Sequence, residues 1–276
     1  MNTRKLEIDN ADGLKLGAKL DLPEDREPVA YALFAHCFTC TKDFKSAYYI
    51  SRILTQQGIA VVRLDFTGLG ESEGDFSDTN FSSNVDDLVA TARYMSDQLA
   101  APQLLVGHSF GGAAALQATR FIPGIRSVAT IGAPADPAHV GHLLASSRAE
   151  IETNGKAEVL VQGRKFSIKK QFLDNLDEHE MDETIREIDR PLLVLHSPAD
   201  TIVDIENATH IFSTARQPKS FISLNEADHL LTNRSDADYA GTVLAAWAMN
   251  YFAKPEQPET NNKTAQHVKQ LRERLT

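Results

Sequence analysis

The chain has 276 residues, enough for one large domain or a core with a modest insertion. It is 42% apolar and 24% charged, and its net charge of −10, with no basic run, excludes an electrostatic nucleic-acid footprint. No apolar run suits a signal peptide or a membrane span, and two cysteines are too few for a disulfide scaffold, so a cytoplasmic protein with no membrane partner is expected.

Two polar-alternating stretches, residues 3–9 and 14–22, flank a turn at 10–13 and read as a hairpin. Residues 29–35 (VAYALFA) read as a buried strand, 44–57 as a helix stopped by Gly58, and 59–65 (IAVVRLD) as the next buried strand. A Gly/Ser/Asp-rich loop over 66–79 leads into a helix at 82–99, a short strand at 103–106 and a small-residue helix at 109–121. Strands at 127–131, 192–195 and 219–224 and helices at 205–214 and 236–252 continue the alternation. This order predicts an α/β protein with a mostly parallel twisted sheet and helices on both faces. The charged stretch 135–189 breaks the pattern, so it reads as an insertion into a core made of 1–134 and 190–252. Within it, 138–153 is helix-like, 157–168 strand-like and 169–176 helix-like. Residues 253–276 read as a polar linker and an amphipathic helix carrying Val268, Leu271 and Leu275.

The segment Gly107-His108-Ser109-Phe110-Gly111 follows the apolar run Leu104-Leu105-Val106 and precedes the small-residue helix. A serine on so tight a strand-to-helix turn needs small neighbours two positions away on either side, and its hydroxyl is thrust outward. Ser109 is therefore the candidate nucleophile. A serine hydroxyl needs an adjacent base, and in this context the partners follow in the order Ser, Asp, His. Asp200 ends the turn after the strand at 192–195, and His229 lies on the loop after the strand at 219–224. Asp204, near the next helix start, suits a cap, and Asp228 adjoins the histidine itself. His36, His108 and His196 end strands or sit under the turn and read as structural; His139, His142, His179, His210 and His267 read as surface residues. The loop His36-Cys37-Phe38-Thr39-Cys40-Thr41 stands where an oxyanion-binding loop belongs, so the backbone N–H groups of Phe38 and Phe110 are the candidate oxyanion donors. Cys37 and Cys40 have two readings: packing residues of this loop, or a redox pair whose oxidation would deform it.

The combination HCFTCTKD, VVRLDFTGLGESEGDF, TNFSSNVDDL, GHSFGGAAAL and ATIGAPADPAHV resembles the hydrolase part of bacterial proteins in which an α/β-hydrolase is fused to an OsmC-like domain. More distantly the loops resemble small-ester and feruloyl-type esterases. The resemblance implies the α/β-hydrolase fold, the triad Ser109, Asp200 and His229, and activity on carboxylic esters. Cys37 stands where the common loop has glycine. An OsmC-like partner domain would lie beyond Thr276, so no peroxidase function carries over. A small-molecule ester of short or medium acyl chain is the expected substrate, with no cofactor or metal. Residues 135–189 would cap the pocket and offer Val140, Leu143, Leu144, Phe166 and Phe172 to it. The alternatives are a thioesterase, peptidase or acyltransferase with the same triad, and a non-catalytic or redox-sensing module on the same fold.

Overall fold

The computed structural model describes residues 1–161 and 163–252, so the linker and helix expected at 253–276 lie outside the described residues. The chain opens with β1 (Asn2–Asp9) and β2 (Lys15–Leu22), an antiparallel pair in register from Asn2 opposite Leu22 to Asp9 opposite Lys15. Then follow β3 (Ala30–Ala35), α1 (Lys45–Gln56), β4 (Ile59–Leu64), α2 (Phe81–Gln98), β5 (Leu104–His108), α3 (Phe110–Ala118) and β6 (Ser127–Ile131). The insertion holds a 3₁₀ helix (Pro137–Ser147), α4 (Arg148–Asn154), a hairpin of β7 (Lys156–Val161) and β8 (Arg164–Lys169), α5 (Lys170–Leu176) and α6 (Met181–Glu187). The core resumes with β9 (Leu192–His196), α7 (Ile205–Thr214), β10 (Lys219–Ser223) and α8 (Arg234–Ala248).

One eight-stranded sheet runs in the order β1-β2-β4-β3-β5-β6-β9-β10, and β7-β8 is a separate two-stranded sheet. β2 pairs antiparallel with β4, and the pairs from β4 through β10 are parallel. Parallel strands covered on both faces need apolar residues at successive positions, which is why these strands read as unbroken apolar runs. In β3, Ala32 and Phe34 join the apolar cluster built with α1 and α8, while Leu33 and Ala35 join the cluster built with α2 and α3. α2 starts at a capping box: the Ser83 N–H donates to the Asn80 side chain, and the Asn80 N–H donates to the Ser83 hydroxyl, both at 2.9 Å.

The insertion departs from its sequence reading. The expected helix at 138–153 is a 3₁₀ helix opened by Pro137 and then the short α4, and the strand-like middle doubles back as a hairpin. α6 was not foreseen, being short and charged; it buries only Met181, Thr184 and Ile185, one helical face. Among the described residues no helix is long and apolar enough to cross a membrane.

Candidate active site

The loops leaving β3, β5, β9 and β10 converge at the carboxyl ends of the parallel strands, where open α/β sheets place their reactive groups. Ser109 sits between β5 and α3 with φ 55° and ψ −127°. Such a conformation costs an L-residue ~1–3 kcal/mol and survives only where its surroundings enforce it. Here the Ser109 N–H donates to the Ile131 carbonyl at 2.8 Å, and the Gly112 N–H donates to the Ser109 carbonyl at 2.7 Å. The flanking glycines are sterically required: a Cβ on Gly107 would lie 2.2 Å from the Gly111 oxygen, and one on Gly111 would lie 2.3 Å from the His36 oxygen.

His229 Nε2 lies 2.8 Å from Ser109 Oγ, and its Nδ1 lies 2.7 Å from Asp200 Oδ2. A carboxylate only accepts, so Nδ1 carries the hydrogen and Nε2 is left to accept from the serine hydroxyl. Asp200 Oδ1 accepts the N–H groups of Ile202 at 2.9 Å and Val203 at 3.0 Å. Burial alone would raise the Asp200 carboxyl; the bonds from His229 and from these N–H groups outweigh it and hold the group below the usual carboxylate range. Neither of the two other nearby carboxylates bonds His229. Asp204 stands at the N-cap position of α7, but contrary to the sequence reading its side chain makes no capping hydrogen bond; Asp228 accepts the Thr232 N–H at 2.9 Å and the Thr232 hydroxyl.

Phe38 and Phe110 are buried, yet neither backbone N–H has an acceptor among the described residues. Buried N–H groups are nearly always paired, so these two, on residues that line the cavity or follow Ser109, are donors left free on this side of the fold among the described residues. The two rings meet edge to face at 5.4 Å, and Phe76 and Phe172 also pack on Phe38 at 5.6 and 5.3 Å, Phe172 lying 6.3 Å from Phe110 as well. Cys37 and Cys40 are both buried and joined by a disulfide across Cα atoms 5.2 Å apart. With that bridge formed, the Phe38 N–H still faces no acceptor in the described chain.

A cavity of about 450 Å³ opens onto Ser109 and His229. Val140 and Leu143, of the five pocket candidates, line it. Leu144, Phe166 and Phe172 do not: all three are buried in the main apolar cluster, the last two packed against Phe76 and Phe38. The inward positions of β8 and α5 face the core rather than the cavity. The cavity takes its remaining apolar wall from residues the sequence reading missed, namely Pro134, Leu160, Val161, Ile202 and Val203. Leu160 carried a signal, being a leucine at an outward position of β7 that alternates with buried Val159 and Val161. Among the described residues no group of three or more His, Cys, Asp or Glu side chains is placed to hold a metal ion.

Known proteins resemble this chain in sequence and fold. The esterase domain of a Rhodothermus marinus protein is 50% identical, covers 92% of this chain and 100% of its own, and superposes with a TM-score of 0.76. Est1E from Butyrivibrio proteoclasticus, solved with ferulic acid bound, shares the fold at 20% identity, with 90% of this chain and 100% of that one covered and a TM-score of 0.74. The lysophosphatidylserine lipase ABHD12 of Danio rerio is 25% identical over 202 residues, 71% of this chain and 50% of that protein. The chain spans about half the length of the first curated relatives it matches. The alpha/beta hydrolase family model covers residues 32–251, from β3 to the end of the last core helix, and on that extent the chain belongs to the alpha/beta hydrolase family.

Proposed function

We propose that the protein is a serine hydrolase that cleaves small carboxylic esters through an acyl-enzyme. The reading rests on one observation above the others: Ser109 Oγ stands 2.8 Å from an imidazole whose far nitrogen is held by a buried carboxylate at 2.7 Å. In this reading His229 Nε2 takes the Ser109 proton as the hydroxyl oxygen attacks the ester carbonyl. Asp200 holds the Nδ1–H tautomer and stabilises the imidazolium. The oxyanion accepts from the N–H groups of Phe38 and Phe110, a donor pair worth a few kcal/mol at the transition state. His229 then protonates the leaving alcohol. Water attacks the acyl-enzyme, gives its proton to the same nitrogen, and the acid departs.

Esters are favoured over thioesters and peptides by the likeness to the esterase domain of the Rhodothermus marinus protein, half identical to this chain. A cytoplasmic setting and residues 135–189 acting as a cap belong to the same proposal. The tie to an OsmC-like partner rests on motif resemblance alone. A fluorophosphonate probe and a panel of p-nitrophenyl esters, thioesters and peptides test the reading. Wild type should label, and Ser109→Ala should neither label nor turn over ester, with kcat lower by about 10⁴-fold or more. Labelling that persists in Ser109→Ala would move the nucleophile elsewhere. An unlabelled wild type would leave a non-catalytic module on this fold.

A further inference from the structure

The rim of the cavity departs from what a polar protein surface needs. Leu143 is 41% exposed, Leu160 67% and Ile202 47%, and all three line the cavity that contains Ser109. Scattered exposed apolar residues are ordinary; convergence at a single mouth is not. The three arrive from separate parts of the chain, the 3₁₀ helix after β6, the outer face of β7 and the loop after β9. On β7 the other outward positions are Lys156 and Glu158, so Leu160 occupies a site that alternation reserves for a polar side chain. The His139 imidazole reaches across to the Ile202 carbonyl at 2.9 Å and holds the two sides of the mouth together.

Charge points the same way. Among the described residues no lysine or arginine lines the cavity, and its lining includes the acidic residue Asp204; the Arg164 guanidinium, which donates to the carbonyl of the lining residue Thr39 at 3.2 Å, also lies over the Phe166 ring. The whole chain carries a net charge of −10. An anionic headgroup or dicarboxylic acyl group would meet no lysine or arginine among the described lining residues and would enter against the net field of the chain.

We infer that the mouth formed by Leu143, Leu160 and Ile202 is a subsite for the hydrocarbon chain of an uncharged ester, a chain long enough to run from Ser109 out of the cavity and onto this rim. The inference rests on the serine-hydrolase reading and adds to it the substrate class and the residues that select it. The chain is carried on either the acyl or the alcohol side of the ester, and two series of substrates distinguish them.

The test measures kcat/KM for p-nitrophenyl acetate, butyrate, octanoate and decanoate, and for acetates of the matching alcohols, below their aggregation concentrations. Wild type should gain with chain length in one series. The octanoate-to-butyrate ratio, or its alcohol counterpart, should fall by about tenfold or more in Leu160→Ser combined with Ile202→Ser. Phe121→Ser, an exposed apolar residue away from the cavity lining, should leave that ratio where it was. A p-nitrophenyl hemisuccinate should be a poor substrate beside the butyrate. A flat chain-length profile in both series, or a ratio unmoved by the double rim variant, would overturn the inference while Ser109 labelling left the hydrolase reading intact. Loss of labelling in the wild type would overturn both.

Discussion

His36, His108 and His196 stand at or just beyond the C-terminal ends of β3, β5 and β9, and all are buried. Burial pushes His36 down to about 4 and His108 to about 3, and it lowers His196 as well, so all three rings are neutral at pH 7. A neutral imidazole has one hydrogen to give, and each spends it on a functional loop. His108 Nε2–H donates to the His229 carbonyl at 2.7 Å, and His196 Nε2–H donates to the Val203 carbonyl at 2.7 Å, beside Asp200. His36 Nδ1–H donates to the Cys37 carbonyl at 2.7 Å, next to Phe38, while its Nε2 accepts the Phe66 N–H at 3.3 Å. His108→Phe keeps a flat ring but leaves the His229 carbonyl without its donor, a penalty of about 1–3 kcal/mol. Part of that loss should fall on the placement of the imidazole. The expected result is a kcat lower by about 10- to 100-fold at nearly constant KM, partly restored in His108→Gln, whose amide can donate. Equal kcat in wild type and His108→Phe would show that the bond positions nothing. Strand-end positions already mark these histidines as structural in the sequence. Which carbonyl each ring bonds was not legible there, because the partner of His108 lies 121 residues downstream.

Between elements, the loop after β3 that carries Phe38 is tied to the sheet by charges that a hydropathy reading of β4 passes over. Asp65, just past β4 and fully buried, accepts the Lys42 N–H at 2.6 Å, the Lys42 ammonium at 2.5 Å and the Glu71 N–H at 2.9 Å. Arg63, inside β4 and also buried, donates to Asp21 at 2.7 Å and to the Lys42 carbonyl. Lys42 lies four residues from Phe38, so the strand end and the loop are anchored at one point. Lys42→Met would strand the Asp65 carboxylate, and leaving one half of a buried ion pair costs about 3–5 kcal/mol. Thermal melting should show a fall of roughly 10 °C for a chain of this size, and Asp65→Asn added to Lys42→Met should recover part of it. An unchanged midpoint would mean that water or another cation replaces the ammonium. Elements of the core were legible because buried parallel strands and amphipathic helices write their period into the sequence. The insertion was not, because its pieces are short and its turns are local: a proline-led 3₁₀ helix scans as a helix, and an antiparallel hairpin scans as one strand.

At the scale of the whole molecule, the order Ser, Asp, His along the chain was legible, but the closure of the three side chains needed the sheet order that brings β5, β6, β9 and β10 side by side. The same folding leaves a carboxyl inside that the sequence does not distinguish from its neighbours. Asp87 on α2 is buried and accepts from the Thr67 N–H at 2.8 Å, the Thr67 hydroxyl at 3.0 Å and the Asn10 amide at 3.3 Å. Burial nonetheless raises it from 3.8 to about 6, with Asp86 adding like charge. A carboxyl raised by folding binds its proton more tightly in the native state than in the unfolded one. Its contribution to stability is therefore complete below about 4 and is lost as pH rises through about 6, a swing of roughly 3 kcal/mol. Glu71, lowered to about 2 by bonds from Lys5 and Lys42, and Asp200, also lowered, act in the opposite sense, and their stabilisation is lost only as pH falls below about 4.5. Within the range from pH 4.5 to 8 the buried His36, His108 and His196 also take up protons on unfolding below about pH 6.5, which makes the stability of both proteins rise with pH there, so Asp87 is read from the difference between wild type and Asp87→Asn and not from either curve alone. Urea midpoints of wild type and Asp87→Asn across that range should separate progressively up to about pH 6.5, the variant gaining relative to wild type, and then run parallel. A difference that stays constant from pH 4.5 to 8 would mean that Asp87 folds as a carboxylate and that Thr67 and Asn10 supply all the solvation it needs.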